Sequence, residues 1–337
     1  MIGAGTSSQF GARRAAVGIA TSVLGCGLLV WQVRTVGVQT IRDGLAQVGW
    51  GFLVILALSF VRFGLRTLAW TTLIGEPVSL ASAVAATLSG DALGNLTPLS
   101  LIVGEPAKAL YLRDRVPVSR SFAALTAENF FYSVSVAVFI VLGTITLLDA
   151  FAVPFDVRVA GLLALALMAV VLSAALWIVW RKPALVSAVL GRVPAPKLGA
   201  LVERVRDFEI RTYAFVRQTH GRPGVVLACE TGFHVVSFAE AYYTVWLITG
   251  RSAPLAAFVL DTFNRIVNIV FRAVPFKVGV DEVSTSKVAE VVGFASGAGV
   301  TLALVRKGRM LVWAAVGVAL AVRRGLKVRD VMESERK

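Results

Sequence analysis

The sequence predicts an all-α, polytopic integral membrane protein with about eight membrane elements. Three observations lead to this prediction: 57% of the 337 residues are hydrophobic, only 16% are charged, and long apolar runs recur along the chain. Soluble domains carry roughly 45–50% apolar and about 25% charged residues, and about 20 apolar residues in a helix cross a bilayer. The hydrophobicity excludes intrinsic disorder. The two cysteines, Cys26 and Cys229, lie in apolar runs, which excludes a secreted disulfide scaffold.

The charge distribution fits the same class. Lys and Arg outnumber Asp and Glu by 34 to 20, which gives a formal net charge of +14. In a soluble protein this excess would favour nucleic-acid binding, but here the bases lie between the apolar runs. Cytoplasmic loops of membrane proteins hold such an excess. We therefore expect a multi-pass protein of the bacterial inner membrane, with both termini in the cytoplasm and no nucleic-acid partner.

The first half of the chain contains four predicted membrane elements. A basic pair precedes a retained first span at 15–33, and the second span is 51–73. The segment 79–112 is apolar but interrupted by glycines and prolines, which disrupt a helical backbone. It therefore predicts a helix–turn–helix hairpin that enters and leaves the membrane on the cytoplasmic side, against protein or a wet cavity. The span 121–148 follows and leads outward.

The second half repeats this organisation after a return span at 158–180. The stretch 181–222 is basic and predicts a cytoplasmic amphipathic connection, with a solvated loop helix as the alternative. The span 224–249 then leads outward, and 254–297 is a second broken segment, which should open outside. The last span ends before the basic cytoplasmic tail 323–337.

An internal repeat relates the two halves. The segment 73–84 matches 247–259 at an offset of about 175 positions. Each broken segment also carries a proline and a glutamate at the same spacing: Pro98 and Glu105, and Pro275 and Glu282.

The repeat defines the predicted domain organisation. One transmembrane domain, 1–337, contains repeat one at about 51–148 and repeat two at about 224–322. Because the two hairpins should open to opposite sides, the repeats are inverted, each with a broken re-entrant hairpin. Inverted repeats with paired broken helices are typical of alternating-access transporters, whose site lies near the midplane where the breaks meet.

Ionisable residues within the predicted spans are the candidates for the site. A charge at the bilayer centre costs at least about 2.5–3.5 kcal/mol on insertion scales, so each needs a partner or a cavity. Basic side chains and free amides at broken-helix N-termini suit phosphate, and carboxylates would orient the bases, attract a cationic headgroup or carry a coupled proton. A structural ion pair is the alternative for each residue. The substrate-binding candidates are Arg62, Arg66, Glu105, Lys108, Glu128, Asp261, Arg265, Arg272, Asp281, Glu282 and Arg306.

Other chemistry has little support in the sequence. There is no Gly-x-x-x-x-Gly-Lys-Ser/Thr loop for ATP hydrolysis. The two histidines, His220 and His234, form no Cys/His cluster with metal-ligand spacing. We therefore expect no metal, no cofactor, no catalytic residue and no enzymatic activity. Transport would then be downhill or ion-coupled.

Two motifs resemble those of a known family. The stretch 95–112 carries an Asn, a Pro, Gly-Glu and then a base, and it resembles the lysylphosphatidylglycerol synthase transmembrane family, also called flippase-like proteins. The stretch 275–282 is similar to the family's Pro-Gly-Gly-x-Gly-x-x-Glu element, and Arg306 matches a base in its last span. The resemblance covers roughly 15–322. Phe276-Lys277 replaces the double glycine, and Glu128-Asn129 stands where the family often has Glu-Arg.

The resemblance implies a role with membrane lipids. The family includes the flippase part of aminoacyl-phosphatidylglycerol synthases and standalone proteins linked to hopanoid or isoprenoid-linked glycolipid pathways. The soluble aminoacyltransferase domain of the full synthases is not present in this sequence, so aminoacylation by this chain alone is not expected.

The sequence as a whole predicts a lipid transporter or flippase that is not driven by ATP. Its substrate would be a phospholipid or a polyprenyl-phosphate-linked lipid, whose headgroup crosses the inner membrane. A membrane enzyme or enzyme subunit acting on a lipid-linked substrate is one alternative, and a structural or partner-binding membrane protein is the other. A second copy of the chain and a lipid-biosynthesis enzyme are the protein partners left open.

Overall fold

The computed structural model describes residues 34, 38–96, 100–181, 222–271 and 277–325. These residues form ten helices and no strand, which confirms the all-α prediction for them. The helices are α1 (Val38–Val48), α2 (Gly51–Ile74), α3 (Leu80–Leu96), α4 (Ser100–Tyr111), α5 (Val118–Ala150), α6 (Phe155–Arg181), α7 (Arg222–Thr249), α8 (Pro254–Val270), α9 (Val280–Val291) and α10 (Ser296–Arg323). The predicted span 15–33 and most of the segments 181–222 and 323–337 lie outside the described residues.

Four of these helices are long and apolar enough to cross a membrane: α2, α5, α6 and α7. They coincide with the predicted spans 51–73, 121–148, 158–180 and 224–249. The chain is therefore a multi-pass membrane protein. Helix α6 packs mainly against α5 and leaves large apolar side chains such as Leu163 and Leu176 exposed, as expected of a helix face in contact with lipid. Helix α10 is equally long but carries several bases.

Local backbone chemistry explains where α2 ends and where α8 begins. Gly75 adopts a left-handed conformation (φ 70°) and donates its amide to the carbonyl of Thr71, which closes α2. A glycine tolerates this conformation at a helix end without steric cost. Pro254 occupies the first turn of α8, where its fixed φ suits a helix start and no backbone donor is lost.

The broken segment 79–112 forms two packed helices, α3 and α4, as predicted. Its glycines, however, do not interrupt the backbone: α3 continues through Gly90, and α4 continues through Gly104 and Pro106. Instead the glycines let the helices approach closely, because a Cβ atom added at Gly90 would lie 2.6 Å from the carbonyl oxygen of Gly104. The second broken segment also forms two packed helices, α8 and α9, and its residues 272–276 are outside the described part of the chain.

The two halves have the same pattern of helix contacts. Helix α2 packs on α7. Helix α2 also contacts α3 and α5 of its own half, and α7 likewise contacts α8 and α10. The hairpin helix α3 packs on α10, just as α8 packs on α5. At these two contacts a glycine meets the partner helix, Gly317 at Leu88 and Gly143 at Thr262. Gly317 follows Gly143 by 174 positions, and Thr262 follows Leu88 by the same 174 positions. This equivalence supports the predicted repeat, while its inverted orientation in the membrane stays a prediction.

The described residues form four apolar clusters, and the two largest contact α7 at different places. One contains Trp70, Leu73 and Leu125 and reaches Val226 near the start of α7. The other packs around α8, α9 and α10 and includes Val245 near the end of α7. The middle of α7 therefore lies between the two clusters, and most of its buried residues there are polar.

Candidate functional site

Helix α7 carries a buried polar face between the two apolar clusters. Glu230, His234, Ser237 and Glu240 are all less than 8% exposed and follow one another at spacings of three or four residues, which places them on one side of the helix. Glutamates in a membrane interior are costly unless they meet a cation or water. Their partners come from the helices that pack against this face.

Arg66 on α2 forms the most completely coordinated of these pairs. Its Nε and Nη2 atoms donate to the two carboxylate oxygens of Glu128 on α5 at 2.8 Å and 2.9 Å. Nη2 also donates to Oδ1 of Asn129 at 3.2 Å. The guanidinium lies over the ring of Tyr132, 4.1 Å from its centroid. The planar fork of arginine suits bidentate pairing, and the ring adds a cation–π attraction.

Arg62 lies one turn earlier on the same helix and pairs with α7. Its Nη1 atom donates to Oε2 of Glu240 at 3.0 Å, and its guanidinium lies 4.7 Å from the ring centroid of Phe233. Arg309 on α10 donates to the other oxygen of the same carboxylate. One glutamate therefore serves two arginines, which leaves a surplus of positive charge at this point.

A cavity of about 220 Å³ opens beside these arginines. Three of its lining residues have a buried atom without a hydrogen-bond partner among the described residues: Oγ of Ser59, Nε of Arg62 and Nε1 of Trp313. Buried polar atoms in proteins are nearly always hydrogen-bonded, and all three can donate. Acceptor oxygens of a bound anion would satisfy them. The cavity lining is polar at Ser59, Arg62, Arg66, Asp91, Asn95 and Arg309 and aromatic at Phe63, Tyr132, Phe233 and Trp313.

Asp91 is the acidic residue on the cavity wall, and a lysine behind it balances its charge. Lys108 on α4 is 4% exposed and lies with Nζ 2.8 Å from Asp91 and 3.2 Å from Glu105. The Asp91 side chain is 30% exposed and faces the cavity. The ammonium group itself does not line the cavity, because the close approach of α3 and α4 encloses it.

A second polar network joins the helices of the other half. Asp261 and Arg265 pair within α8 at 2.9 Å, and Ser237 of α7 donates to Asp261. The Arg265 guanidinium lies 4.1 Å from the ring centroid of Phe139. The two residues lie four apart, one helical turn along α8. It ties α8 to both α7 and α5.

The bases at the middle of α10 complete this network. Arg306 donates to the carbonyl of Leu260 at 3.2 Å and lies 4.0 Å from Asp281. Lys307 pairs with Glu282 at 2.8 Å. Glu282 also accepts the amide of Gly279 at 2.8 Å at the start of α9. These contacts hold α8, α9 and α10 together.

The predicted site residues thus separate into groups. Arg62 and Arg66 line the cavity, with Glu128 behind Arg66, while Glu105 and Lys108 support its acidic wall. The remaining described candidates belong to the second network and are absent from the cavity lining, and Arg272 lies outside the described residues. The second-network candidates are Asp261, Arg265, Asp281, Glu282 and Arg306.

Sequence reasoning left three charged residues at or beside the cavity out of the candidate site: Asp91, Glu240 and Arg309. Glu230 of the buried α7 face and Lys307 of the second network were left out as well. The repeat contains a signal for one of them, because Glu240 follows Arg66 by 174 positions and so occupies the equivalent place on α7, across the contact with α2. Arg309 lies one turn after the predicted Arg306. His234 donates or accepts at Ser135 (2.9 Å) and stacks on Phe139, and the described residues contain no group of three potential metal ligands.

Comparison with known proteins identifies the family. The family described as "Lysylphosphatidylglycerol synthase TM region" matches residues 15–317. This is a membrane family associated with lipid modification or transport. No curated protein and no solved structure matches the chain. The family match covers most of the sequence and confirms the resemblance of its motifs, so the chain belongs to the lysylphosphatidylglycerol synthase transmembrane-region family.

Proposed function

We propose that this protein is a lipid transporter that moves a phosphate-bearing headgroup across the bacterial inner membrane without ATP. The substrate is a phospholipid or a polyprenyl-phosphate-linked lipid. The observation that carries the proposal is the cavity lined by Arg62, Arg66 and Arg309, three of whose lining residues have a buried donor atom without a partner among the described residues.

The charge arrangement favours an anion over other ligands. Arg62 and Arg309 share the single carboxylate of Glu240, so a phosphate oxygen can take one of the two hydrogen bonds without leaving Glu240 unpaired. Charge-assisted hydrogen bonds from arginine to phosphate are short and about twice as strong as neutral ones. The aromatic rings of Phe63 and Trp313 provide an apolar wall next to these donors.

The position of the cavity supports transport rather than simple binding. Its lining combines α2, α3 and Tyr132 of α5 with Phe233 of α7 and the residues of α10, and these helices come from both predicted repeats. In alternating-access transporters the site lies at the interface of two repeats near the midplane, and one repeat moves against the other. The acyl chains would stay in the bilayer while the headgroup passes through the cavity. Both termini would lie in the cytoplasm, following the basic loops.

Reconstituted liposomes test the proposal. The purified full chain is incorporated with a phospholipid whose headgroup carries a fluorophore, and a membrane-impermeant quencher reports which leaflet the headgroup occupies. We expect the protein to move headgroups between leaflets without ATP, and Arg62→Gln and Arg309→Gln to slow the exchange at least tenfold.

The matched control is Arg120→Gln. Arg120 pairs with Glu76 away from the cavity, so this variant loses an arginine and an ion pair but should keep the exchange rate. Mass spectrometry of the lipids follows in the same samples. A covalently altered lipid would point to an enzyme instead, and exchange that is absent, or that falls only in proportion to folding yield, would contradict the proposal.

A further inference from the structure

Glu230 on α7 is a buried acid without a counter-charge of its own. It is 1% exposed, and neither of its carboxylate oxygens has a hydrogen-bond partner among the described residues. An ionised carboxylate in such a place pays a desolvation penalty of several kcal/mol unless a cation compensates it. The neutral, protonated form avoids that penalty.

The charged groups around Glu230 are already paired with each other. Helix α2 presents Arg66 to it, and α5 presents Glu128, and these two form the bidentate pair described above. On α8 the charged residues are Asp261 and Arg265, which pair with each other.

The remaining helices packed on α7 add no free cation for Glu230 in the described part of the chain. Arg309 of α10 contacts Glu240, further along α7. Helix α1 carries Arg42 and Asp43, which are both exposed. His234, one turn along α7 itself, makes its hydrogen bond to Ser135.

The balance of charges around the cavity also points to Glu230. The cations Arg62, Arg66, Lys108 and Arg309 are matched within the described residues by four contacting carboxylates. Glu230 is the additional acid. A bound phosphate would add another negative charge to a region of low dielectric, where carboxylates close together cannot all ionise.

We propose that Glu230 is a proton-binding site and that it must be protonated for the anionic headgroup to bind at Arg66. This inference rests on the proposed function and names the coupled ion. The phosphate accepts one of the hydrogen bonds that the Arg66 guanidinium otherwise donates to Glu128. The Glu230 hydroxyl then donates a hydrogen bond to the carboxylate of Glu128. The proton comes from bulk water and bonds to a Glu230 oxygen, and no bond in the lipid forms or breaks.

The consequence is a linkage between pH and headgroup affinity. Wherever Glu230 is ionised in the lipid-free protein, binding takes up one proton, so affinity rises as the pH falls, by up to about tenfold per pH unit. A proton gradient across the membrane would then bias the direction of transport. A phosphodiester headgroup stays ionised near neutral pH, so the lipid does not supply the proton.

Calorimetric titration of the detergent-purified full chain with dihexanoyl-phosphatidylglycerol tests this. Measurements in buffers of different ionisation enthalpy give the number of protons taken up per lipid bound. In a series of pH values, we expect uptake by the wild-type protein to approach one proton at the alkaline end, where Glu230 is ionised before the lipid binds. We expect close to none at any pH for Glu230→Gln, which should bind with an affinity independent of pH. The matched control His234→Gln removes the neighbouring titratable group on the same helix and should keep the uptake.

The outcomes distinguish failure of the role of Glu230 from failure of the proposed function. Binding without proton uptake at every pH of the series, or uptake that persists in Glu230→Gln or disappears in His234→Gln, overturns the role of Glu230 and leaves the proposed function standing. Absence of any lipid binding overturns both. If Glu230→Gln does not fold, the infrared spectrum of the wild-type protein replaces it, since lipid binding must then increase a protonated-carboxyl band that shifts in Glu230→Asp.

Discussion

Glu240 is the residue on which two arginines depend. It accepts hydrogen bonds from Arg62 and Arg309 and is 5% exposed. In Glu240→Gln both guanidinium groups lose their carboxylate, and removing one partner of a buried ion pair costs about 3–5 kcal/mol. Arg309→Gln leaves the pair between Arg62 and Glu240 intact. We therefore expect a clearly lower apparent unfolding temperature for Glu240→Gln than for Arg309→Gln, measured in detergent. Equal temperatures would contradict the shared-carboxylate arrangement.

Variants of the Arg66–Glu128 pair can distinguish a structural role of the pair from a role in binding the headgroup. Arg66→Met alone leaves a buried carboxylate unpaired, so it should lower stability by about 3 kcal/mol. The double variant Arg66→Met with Glu128→Leu removes both charges, and an apolar replacement of a buried pair is often neutral. We expect unfolding measurements to show recovered stability in the double variant.

Headgroup exchange in liposomes should behave differently from stability. It should stay low in the double variant, because the arginine that contacts the headgroup is absent. Exchange that recovers together with stability would mean that the pair only holds α2 and α5 together.

The sequence could predict some of these residues but not their partners. Arg62 and Arg66 stand out because two charges one turn apart in an apolar run need a reason. That Glu240 and Arg309 complete the group depends on the packing of α2 against α7 and α10, which helical spacing within one segment does not contain. Asn129, where the family often has arginine, accepts a hydrogen bond from Arg66. Lys277, where the family motif has glycine, adopts φ 49°, a left-handed conformation that costs a non-glycine residue energy.

At the scale of helices, Gly317 sets the distance between α3 and α10. A Cβ atom there would lie 2.2 Å from the carbonyl oxygen of Leu88, and a backbone atom cannot rotate away. We expect Gly317→Ala to destabilise the protein by about 1–3 kcal/mol through overpacking, seen as a lower unfolding temperature. Gly308→Ala on the same helix is the control, since its Cβ would meet the ring of Phe52 at 3.5 Å. Alanine by itself favours a helix over glycine, so a similar loss in both variants would show that the contact with Leu88 is not its specific cause.

Apolar run length predicted the helices α2, α5, α6 and α7 well. The broken segment 79–112 was harder, because a glycine in an apolar run either interrupts a helix or permits a close contact. Gly90 and Gly104 do the latter, and only the partner helix decides between the two. Helix α10 was also difficult to predict from the length of its apolar run, because Arg306, Lys307 and Arg309 lower its hydrophobicity. The carboxylate partners of these bases come from elsewhere in the chain.

For the whole molecule, the predicted orientation can be tested by labelling single cysteines. In a variant without Cys26 and Cys229, a cysteine at the exposed Arg115 should react with a membrane-impermeant reagent only from the cytoplasmic side. A cysteine at the exposed Asp156, beyond the long helix α5, should react only from outside. This follows from the basic loop before α5 and the rule that bases stay inside. The reverse result would invert the topology, and labelling of both from one side would exclude α5 as a span.

The two halves make equivalent helix contacts, and the arginine-lined cavity lies between α2, α3, α7 and α10. The central claim is that a lipid phosphate occupies this cavity. An experimental structure of the full chain in a lipid nanodisc tests it most directly. We predict phosphate density within hydrogen-bonding distance of Arg62, Arg66 or Arg309, with acyl chains leading into the bilayer. A cavity filled by an acyl chain, or headgroups bound only at the membrane surfaces, would contradict the account.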